Sequence, residues 1–203
     1  MNASGPRGAE RPSDTPNELC IPDEELVRQC RTQLPYDTTA FGNIVERYES
    51  AVLMTCYRIL GSLEDAEEVC QDVFMRVFHG LPGFRGDASF RTWIFRIARN
   101  TCASRGAGIE RRRRLTDVYR ALESASAVAP AGTDSTRDRV QEILSRMAEP
   151  DREILGLRYA ADLPIQDLAD TLDLGLSATK MRLYRAQDRF KAAYLIPDKL
   201  PSD

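Results

Sequence analysis

The chain has 203 residues, with 42% hydrophobic and 29% charged side chains and a net charge of −3 at pH 7. This is the composition of a globular protein that forms one ordinary domain or two small ones. No apolar run reaches the roughly 18 to 20 residues of a membrane span, and the N-terminus has no hydrophobic signal core. We therefore expect a cytoplasmic protein with no membrane insertion.

Two stretches without apolar periodicity divide the chain. Residues 1–22 contain four prolines and predict a disordered N-terminal tail, while residues 116–136 are rich in Ala and Ser and predict a linker. The two remaining segments, residues 23–115 and 137–195, are therefore predicted domains, and residues 196–203 form a C-terminal tail.

Both predicted domains have apolar residues at spacings of three and four, which is typical of helices. Stripes of this kind run over residues 41–56 and 66–81 in the first domain and over residues 140–172 in the second. No segment shows the alternation of a strand. The sequence predicts an all-α protein of two small helical domains joined by a flexible linker.

Charge is strongly segregated within the first domain. Residues 84–114 interleave aromatics with nine arginines and only two acids, a net charge of +7, and end in four consecutive arginines. This pattern is typical of a nucleic-acid surface. The preceding helix is acidic, which indicates a separate, basic partner. Its acids are Glu64, Asp65, Glu67, Glu68 and Asp72.

The second domain contains a predicted helix-turn-helix over residues 164–190. Pro164 suits a first helical turn, Gly175 suits the end of the first helix, and Ser177 is a predicted N-cap of the second helix. A short connection that contains a glycine is typical of this motif.

The second helix of this motif has two sides. Thr179, Leu183, Ala186 and Phe190 are predicted to pack inward, whereas the other side is basic and aromatic. In a DNA-binding helix-turn-helix the early turns of the second helix enter the major groove, where Lys and Arg bind guanine and phosphate. Within residues 164–190 the DNA-binding part of the motif runs from Gln166 to Arg185, and its predicted DNA-facing residues are Ser177, Lys180, Met181, Arg182, Tyr184 and Arg185.

The order of these segments resembles a bacterial sigma factor of the sigma-70 family. Residues 65–84 and 84–100, then a linker, then residues 150–186 carry the likeness, which is greatest to the small extracytoplasmic-function (ECF) group that keeps regions 2 and 4. The resemblance implies a non-enzymatic subunit that binds the clamp coiled coil and flap of core RNA polymerase and promoter DNA. It also implies control by an anti-sigma factor.

The resemblance also assigns residues. It implies that the acidic helix docks on core polymerase, with Cys70 standing where an aliphatic residue is usual, and that the basic segment binds and melts the −10 element. Melting without ATP requires a basic channel for the backbone and platforms for unstacked bases. The polymerase-binding residues are Asp65, Glu68, Gln71, Asp72 and Phe74, and those of the −10 site are Phe84, Arg85, Arg91, Arg96, Arg99 and Asn100.

The aromatics of the basic segment are expected to divide between core and surface. Phe90 and Trp93 lie near the apolar stripe and are expected to pack in the core, whereas the sequence leaves the placement of Phe84 and Phe95 open. Residues 81–89, with three Gly and Pro residues, predict a loop that wraps a flipped base. The four arginines at 111–114 are most simply a positive tract that attracts DNA non-specifically.

Two other classes of function remain alternatives. A conventional helix-turn-helix regulator with an N-terminal sensing or dimerisation domain explains residues 164–190 but gives the acidic and basic segments no role. An enzyme acting on nucleic acid needs acid–base or metal residues in one pocket. One histidine and five cysteines without C-x-x-C spacing predict free, mostly buried thiols, no metal, no cofactor and no small-molecule substrate.

Overall fold

The computed structural model describes residues 21–120 and 135–195. Within these two ranges the regular structure is helical and no strand occurs, which confirms the all-α prediction. The predicted tails, up to residue 20 and from residue 196, and positions 121–134 of the predicted linker lie outside the described residues. The helices are α1 (Asp23–Gln33), α2 (Thr39–Leu60), α3 (Leu63–Gly80), α4 (Phe90–Arg120), α5 (Ser135–Arg146), α6 (Glu149–Tyr159), α7 (Ile165–Leu172) and α8 (Leu176–Leu195), with a 3₁₀ turn at Leu81–Gly83.

The first four helices form a bundle around α2, whose apolar stripe is buried from Ile44 to Ile59. Gly61 ends α2 with φ +81°, a conformation that glycine adopts without strain. The hydroxyl of Ser62 then accepts a hydrogen bond from the Asp65 backbone N–H at 3.3 Å and caps α3. These local signals fix where the acidic helix begins.

Helix α4 begins after Ser89, whose hydroxyl accepts the Thr92 backbone N–H at 3.0 Å. Phe90, Ile94, Phe95, Ala98 and Cys102 are buried along its inner face. The helix continues to Arg120, past the predicted domain end at residue 115. The backbone of residues 111–114 is therefore helical, while their side chains lie outside the described residues.

The helix-turn-helix is present, but its turn differs from the prediction. Asp173, not Gly175, adopts the left-handed conformation after α7, with φ 54° and ψ 42°. Aspartate tolerates this region because its short polar side chain can bond locally. The carbonyl of Gly175 accepts the Thr179 N–H at 2.9 Å, so Gly175 is the N-cap and Ser177 lies inside the first turn. Pro164 precedes α7 as its N-cap.

Helices α6 and α7 pack directly on the first bundle, and α8 packs on α5, α6 and α7. Helix α6 crosses α2 closely at Gly156, where an added Cβ would lie 3.4 Å from the Arg58 Cβ and 3.6 Å from the Thr55 carbonyl oxygen. The guanidinium of Arg152 donates to the Ile59 carbonyl at 3.1 Å. Helix α7 packs on α4. Among the described residues no helix is both long and apolar enough to cross a membrane.

Candidate polymerase and nucleic-acid interfaces

Helix α3 presents an acidic face to solvent. Its inner side is buried, whereas Glu67, Glu68, Gln71 and Asp72 are exposed. The half-buried Asp65 lies at the edge of this face and accepts a hydrogen bond from Arg105 at 2.8 Å. The same guanidinium approaches Glu68 at 2.5 Å, and these carboxylates raise the pKa of Arg105. Arg105 of α4 therefore neutralises part of the negative charge of the acidic face.

Phe74 differs from the prediction that placed it among the polymerase contacts. It is only 9% exposed and packs in the core with Val73 and Val77. The exposed large apolar side chains of this helix are Leu63, at 55%, and Met75, at 58%. Sequence reasoning missed Met75, although its position, four residues after Gln71, places it on the same face.

The loop before α4 carries an aromatic cluster. Phe84 lies 4.9 Å from Trp93 and 5.9 Å from Phe90, measured between ring centroids. Trp93 is half-buried and Phe90 is buried, in agreement with the prediction for both. Trp93 also packs closely on Gly80, where a Cβ would meet the indole ring at 3.0 Å. A larger side chain at residue 80 would therefore displace the tryptophan.

Phe95, whose placement the sequence left open, is fully buried. It follows Ile94 on the inner face of α4 and lies 6.4 Å from the Tyr48 ring centroid. The spacing could have shown this, since Phe95, Ala98 and Cys102 are three and four residues apart. Phe84 is the remaining aromatic candidate, and it is half-buried.

Two cavities flank the loop. One of about 360 Å³ is lined by Phe84, Arg85, Thr92, Trp93 and Arg96, among others. The other, of about 420 Å³, lies on the α1 side of the same loop. Gly86, with φ +81°, allows the loop to turn between them. The loop, the exposed Arg85 and the aromatic cluster thus surround space that an unstacked base could occupy.

Three of the arginines predicted to bind the −10 element form hydrogen bonds with the second predicted domain, residues 137–195. The Arg91 Nη2 atom donates to the Ala161 carbonyl at 2.7 Å. Arg96 donates to the Asp170 carbonyl and to the Asp173 carboxylate. Arg99, the third of these arginines, donates to the Glu153 carboxylate at 2.7 Å. Asn100, the next residue, is exposed.

Helix α8 presents the predicted recognition face. Thr179, Leu183 and Ala186 are buried and Phe190 is partly buried, which confirms the inward side. The residues that lie on the exposed side, as predicted, are Ser177, Lys180, Met181, Tyr184 and Arg185.

Arg182 is the exception. Its Nη2 atom binds Glu153 at 2.5 Å and the Pro150 carbonyl at 2.7 Å, and its side chain is 25% exposed. Because it lies three residues after Thr179 and four before Ala186, it belongs to the packing stripe. In this arrangement Arg182 holds α8 to α6.

Comparison with known families gives two matches in the same chain. The model described as sigma-70 region 2 matches residues 44–114, and the model described as sigma-70, region 4 matches residues 137–188. The chain belongs to the ECF group of the sigma-70 family. Region 2 thus spans α2, α3 and most of α4, and region 4 spans most of α5 to α8.

Full-length relatives support the assignment of this sigma factor. It is 25% identical over 171 residues to the ECF RNA polymerase sigma factor SigW of Bacillus subtilis, covering 76% of this chain and 89% of the relative. It is 28% identical over 179 residues to the ECF RNA polymerase sigma-E factor of Escherichia coli K12, covering 83% and 92%. Both relatives match across the two regions.

Solved structures show the same architecture. CnrH in complex with the cytosolic domain of CnrY is 25% identical to this sigma factor, with a TM-score of 0.62 and coverage of 86% of this chain and 97% of that chain. The sigma factor RpoE of Bartonella quintana, in complex with the anti-sigma factor NepR, also has a TM-score of 0.62. It is 22% identical, covers 78% of this chain and 98% of that chain, and supports the fold.

The thiols of the sigma factor are buried where the structure describes them. Cys30, Cys56, Cys70 and Cys102 are free, as predicted, and Cys20 lies outside the described residues. A hydrogen bond from the Cys56 thiol to Cys102, together with burial, raises the pKa of Cys56. Burial raises the pKa of Cys70 to about 12, so this thiol is protonated at neutral pH. The described residues contain no cluster of three metal-binding side chains.

Proposed function

We propose that this sigma factor binds core RNA polymerase through α3, reads a −35 element with α8 and helps to melt a −10 element with the loop and N-terminal turns of α4. It has no catalytic activity of its own in this proposal and acts in the cytoplasm, where polymerase and chromosome are. The observation that carries the proposal is the match to both regions, in order, on one chain.

The exposed side of α3 supports the polymerase contact. Glu67, Glu68, Gln71 and Asp72 provide negative charge and an amide for a basic partner, and Met75 provides an apolar side chain among them. Interfaces of this kind combine a desolvated apolar anchor with surrounding charges that steer the encounter. The clamp coiled coil of polymerase is the partner that family membership favours.

The loop cavities support a role in strand separation. An extruded base needs a pocket and an aromatic surface, and stacking contributes roughly 1–3 kcal/mol per base. The 360 Å³ cavity beside Phe84 and Trp93 offers both, with Arg85 exposed at its wall. Asn100 is placed on the outer side of α4, where its amide can bond a base edge.

The exposed face of α8 supports duplex recognition. Lys180 and Arg185 can bind guanine or phosphate, and Met181 and Tyr184 add apolar contacts in the major groove. The regulator alternative uses the same helix, so α8 alone does not distinguish the two functions. The polymerase contact does.

We further propose that an anti-sigma factor binds this chain and holds it inactive, since the similar sigma factor RpoE of Bartonella quintana forms a complex with the anti-sigma factor NepR. A groove of about 550 Å³ lies between α2, α5, α6 and α8. Its wall is apolar, with Met54, Leu144, Leu155 and Phe190, and Lys191 lies at its edge. An amphipathic helix with acidic flanks fits this combination.

A retention experiment with immobilised core RNA polymerase tests the function. At moderate salt we expect the chain to be retained and Asp72→Arg to be lost from the column, since it inverts an exposed charge on the acidic face. Glu46→Arg, which makes the same kind of change at an exposed position of α2, is the matched control. Failure of the wild-type chain to bind would refute the sigma function.

In vitro run-off transcription completes the test. Core enzyme with this chain and a genomic library should give discrete promoter-dependent transcripts, and the same chain with Asp72→Arg should not. A chain that binds promoter duplex but neither binds core enzyme nor supports transcripts would instead be a conventional regulator.

A further inference from the structure

The centre of the exposed face of α8 is apolar. At about 100° per residue, Met181 lies almost opposite the buried Leu183, and its side chain is 50% exposed. Tyr184, three residues later, is 60% exposed, and Ala178, three residues earlier, is exposed as well. Water contacts this apolar surface in the free chain, and a partner that removes the surface from water gains free energy.

Positive charge flanks the apolar centre. Lys180 lies to one side of Met181 and Arg185 lies one turn beyond it, and both are exposed. The exposed carboxylate of Asp188 follows one turn later and repels phosphate, so the DNA-facing part of the helix ends before it. A small apolar patch with cations around it matches the major groove, in which phosphates border the edges of the bases.

The amide side chains that read adenine are not available on this face. Asn and Gln bind adenine in the major groove through two hydrogen bonds. Helix α8 has one such amide, Gln187, and its Nε2 atom donates to the Tyr159 hydroxyl at 2.5 Å. The apolar group that an A·T pair presents in the major groove is the C5 methyl of thymine. This methyl is the feature of an A·T pair that the centre of α8 is suited to bind.

We propose that Met181 is a specificity-determining residue that binds the C5 methyl of a thymine, so that the −35 element contains a thymine opposite the middle of the α8 face. The inference rests on the proposed reading of a −35 element by α8. The thioether chain is flexible and polarizable, and it adapts its shape to the methyl. Tyr184 lies about 4.5 Å further along the helix axis, close to the base-pair spacing of about 3.4 Å, so its ring contacts the neighbouring pair.

Replacement of thymine by deoxyuridine tests the contact directly. Deoxyuridine keeps the base-pairing and groove hydrogen-bonding groups of thymine and lacks only the methyl. A promoter library randomised in the −35 region and selected with the full chain assembled with core polymerase gives the probe, and each thymine of its −35 region is then replaced in turn. Mobility-shift titrations should show about fourfold weaker binding at the contacted thymine, the ratio expected for burial of one methyl-sized group.

Met181→Gln provides the decisive comparison, because glutamine has a similar length and helix propensity but a polar end. With this variant the thymine and deoxyuridine probes should bind equally, and any new hydrogen bond to adenine is the same in both. Lys180→Ala should weaken binding to both probes and keep their ratio, since it removes charge and not the apolar contact. Leu195→Gln, the same kind of change at an exposed position near the end of α8, should leave both affinities unchanged.

Three results would overturn the inference while leaving the −35 role of α8 in place. They are a selected element without thymine in either strand, equal wild-type affinity for every deoxyuridine probe, and a thymine preference that persists in Met181→Gln. A different result identifies failure of the proposed function. If Lys180→Ala and Arg185→Ala both leave the affinity for the probe unchanged, α8 does not bind the duplex, and the −35 role is wrong together with the inference.

Discussion

The two basic helices of this sigma factor have similar compositions but different surroundings. Helix α4 contributes Arg91, Arg96 and Arg99, all bound to region 4, whereas α8 leaves Lys180 and Arg185 exposed. Both helices were predicted to bind DNA, and only α8 presents its predicted face freely in this arrangement. A basic helix therefore indicates an anion partner without specifying whether that partner is DNA or the same chain.

The difference follows from where each arginine lies relative to the buried stripe. Arg91 and Arg99 are partly buried beside the inner face of α4, and their side chains reach the Ala161 carbonyl, just after α6, and Glu153 of α6. Arg185 lies opposite the inner face of α8, where no other helix packs among the described residues. Arg182 lies on α8 but resembles the α4 arginines, because its side chain binds another helix of the same chain.

The largest expected effect concerns the inner face of α4. Phe95→Ala should lower the free energy of unfolding by about 3–5 kcal/mol, because it removes a fully buried ring from the core. Phe84→Ala should cost clearly less, since that ring is half-buried at the loop. Urea denaturation followed by circular dichroism measures both.

The same two variants also test which aromatic side chain belongs to the core and which to the DNA-binding loop. Phe84→Ala is expected to weaken single-stranded DNA binding while leaving the fold intact. If Phe95→Ala were as stable as Phe84→Ala, the buried placement of Phe95 in the comparison would be wrong.

The next effect concerns the two arginines of α8. Arg185→Ala should weaken binding to a −35 duplex by about 1–3 kcal/mol, as expected for loss of a base or phosphate contact in the major groove. Arg182→Ala should weaken duplex binding less and destabilise the chain more, because its partners are Glu153 and the Pro150 carbonyl. Anisotropy titrations and urea denaturation of both variants supply the comparison.

Equal losses of duplex binding with unchanged stability would show that Arg182 is released to DNA. That outcome would make α8 a uniform basic surface and remove the distinction from α4. Lys191→Ala, an exposed basic position further along α8, serves as the charge-matched control.

Much of the fold follows from sequence periodicity. The stripes over residues 41–56 and 66–81 became the inner faces of α2 and α3, and the inward side of α8 was predicted residue by residue. The turn was less well predicted. Gly175 was expected to end the first helix of the motif, whereas Asp173 takes the left-handed conformation. Proximity to a glycine does not decide which residue bends the chain.

The arrangement of the two regions could not be predicted. Periodicity shows which side of a helix is buried, but it does not show which element covers that side. The sequence therefore could not predict the partners of Arg91, Arg96 and Arg99. The contact of Gly156 with α2 joins residues about a hundred positions apart and leaves no local signature. Phe74 shows the same limit, because an apolar residue beside acids can belong to either the core or an interface.

The smallest expected effect concerns Asn100, the exposed amide that follows Arg99. Asn100→Ala should slow open-complex formation about 2- to 10-fold, the loss of a single hydrogen bond of about 0.5–1.5 kcal/mol, and leave −35 duplex binding unchanged. Permanganate reactivity at the −10 region, with core enzyme present, reports the open strand. Ser104→Ala, at an exposed position one turn further along α4, is the control.

This measurement decides whether the outer side of α4 acts on DNA. Asn100 is exposed in the present arrangement, and its Oδ1 atom already accepts Arg99 at 3.2 Å. Release of Arg99 from Glu153 would let both side chains face the strand together, one toward a phosphate and one toward a base edge. Normal permanganate reactivity in Asn100→Ala would mean that Asn100 does not bind a base and would confine base capture to the Phe84 loop.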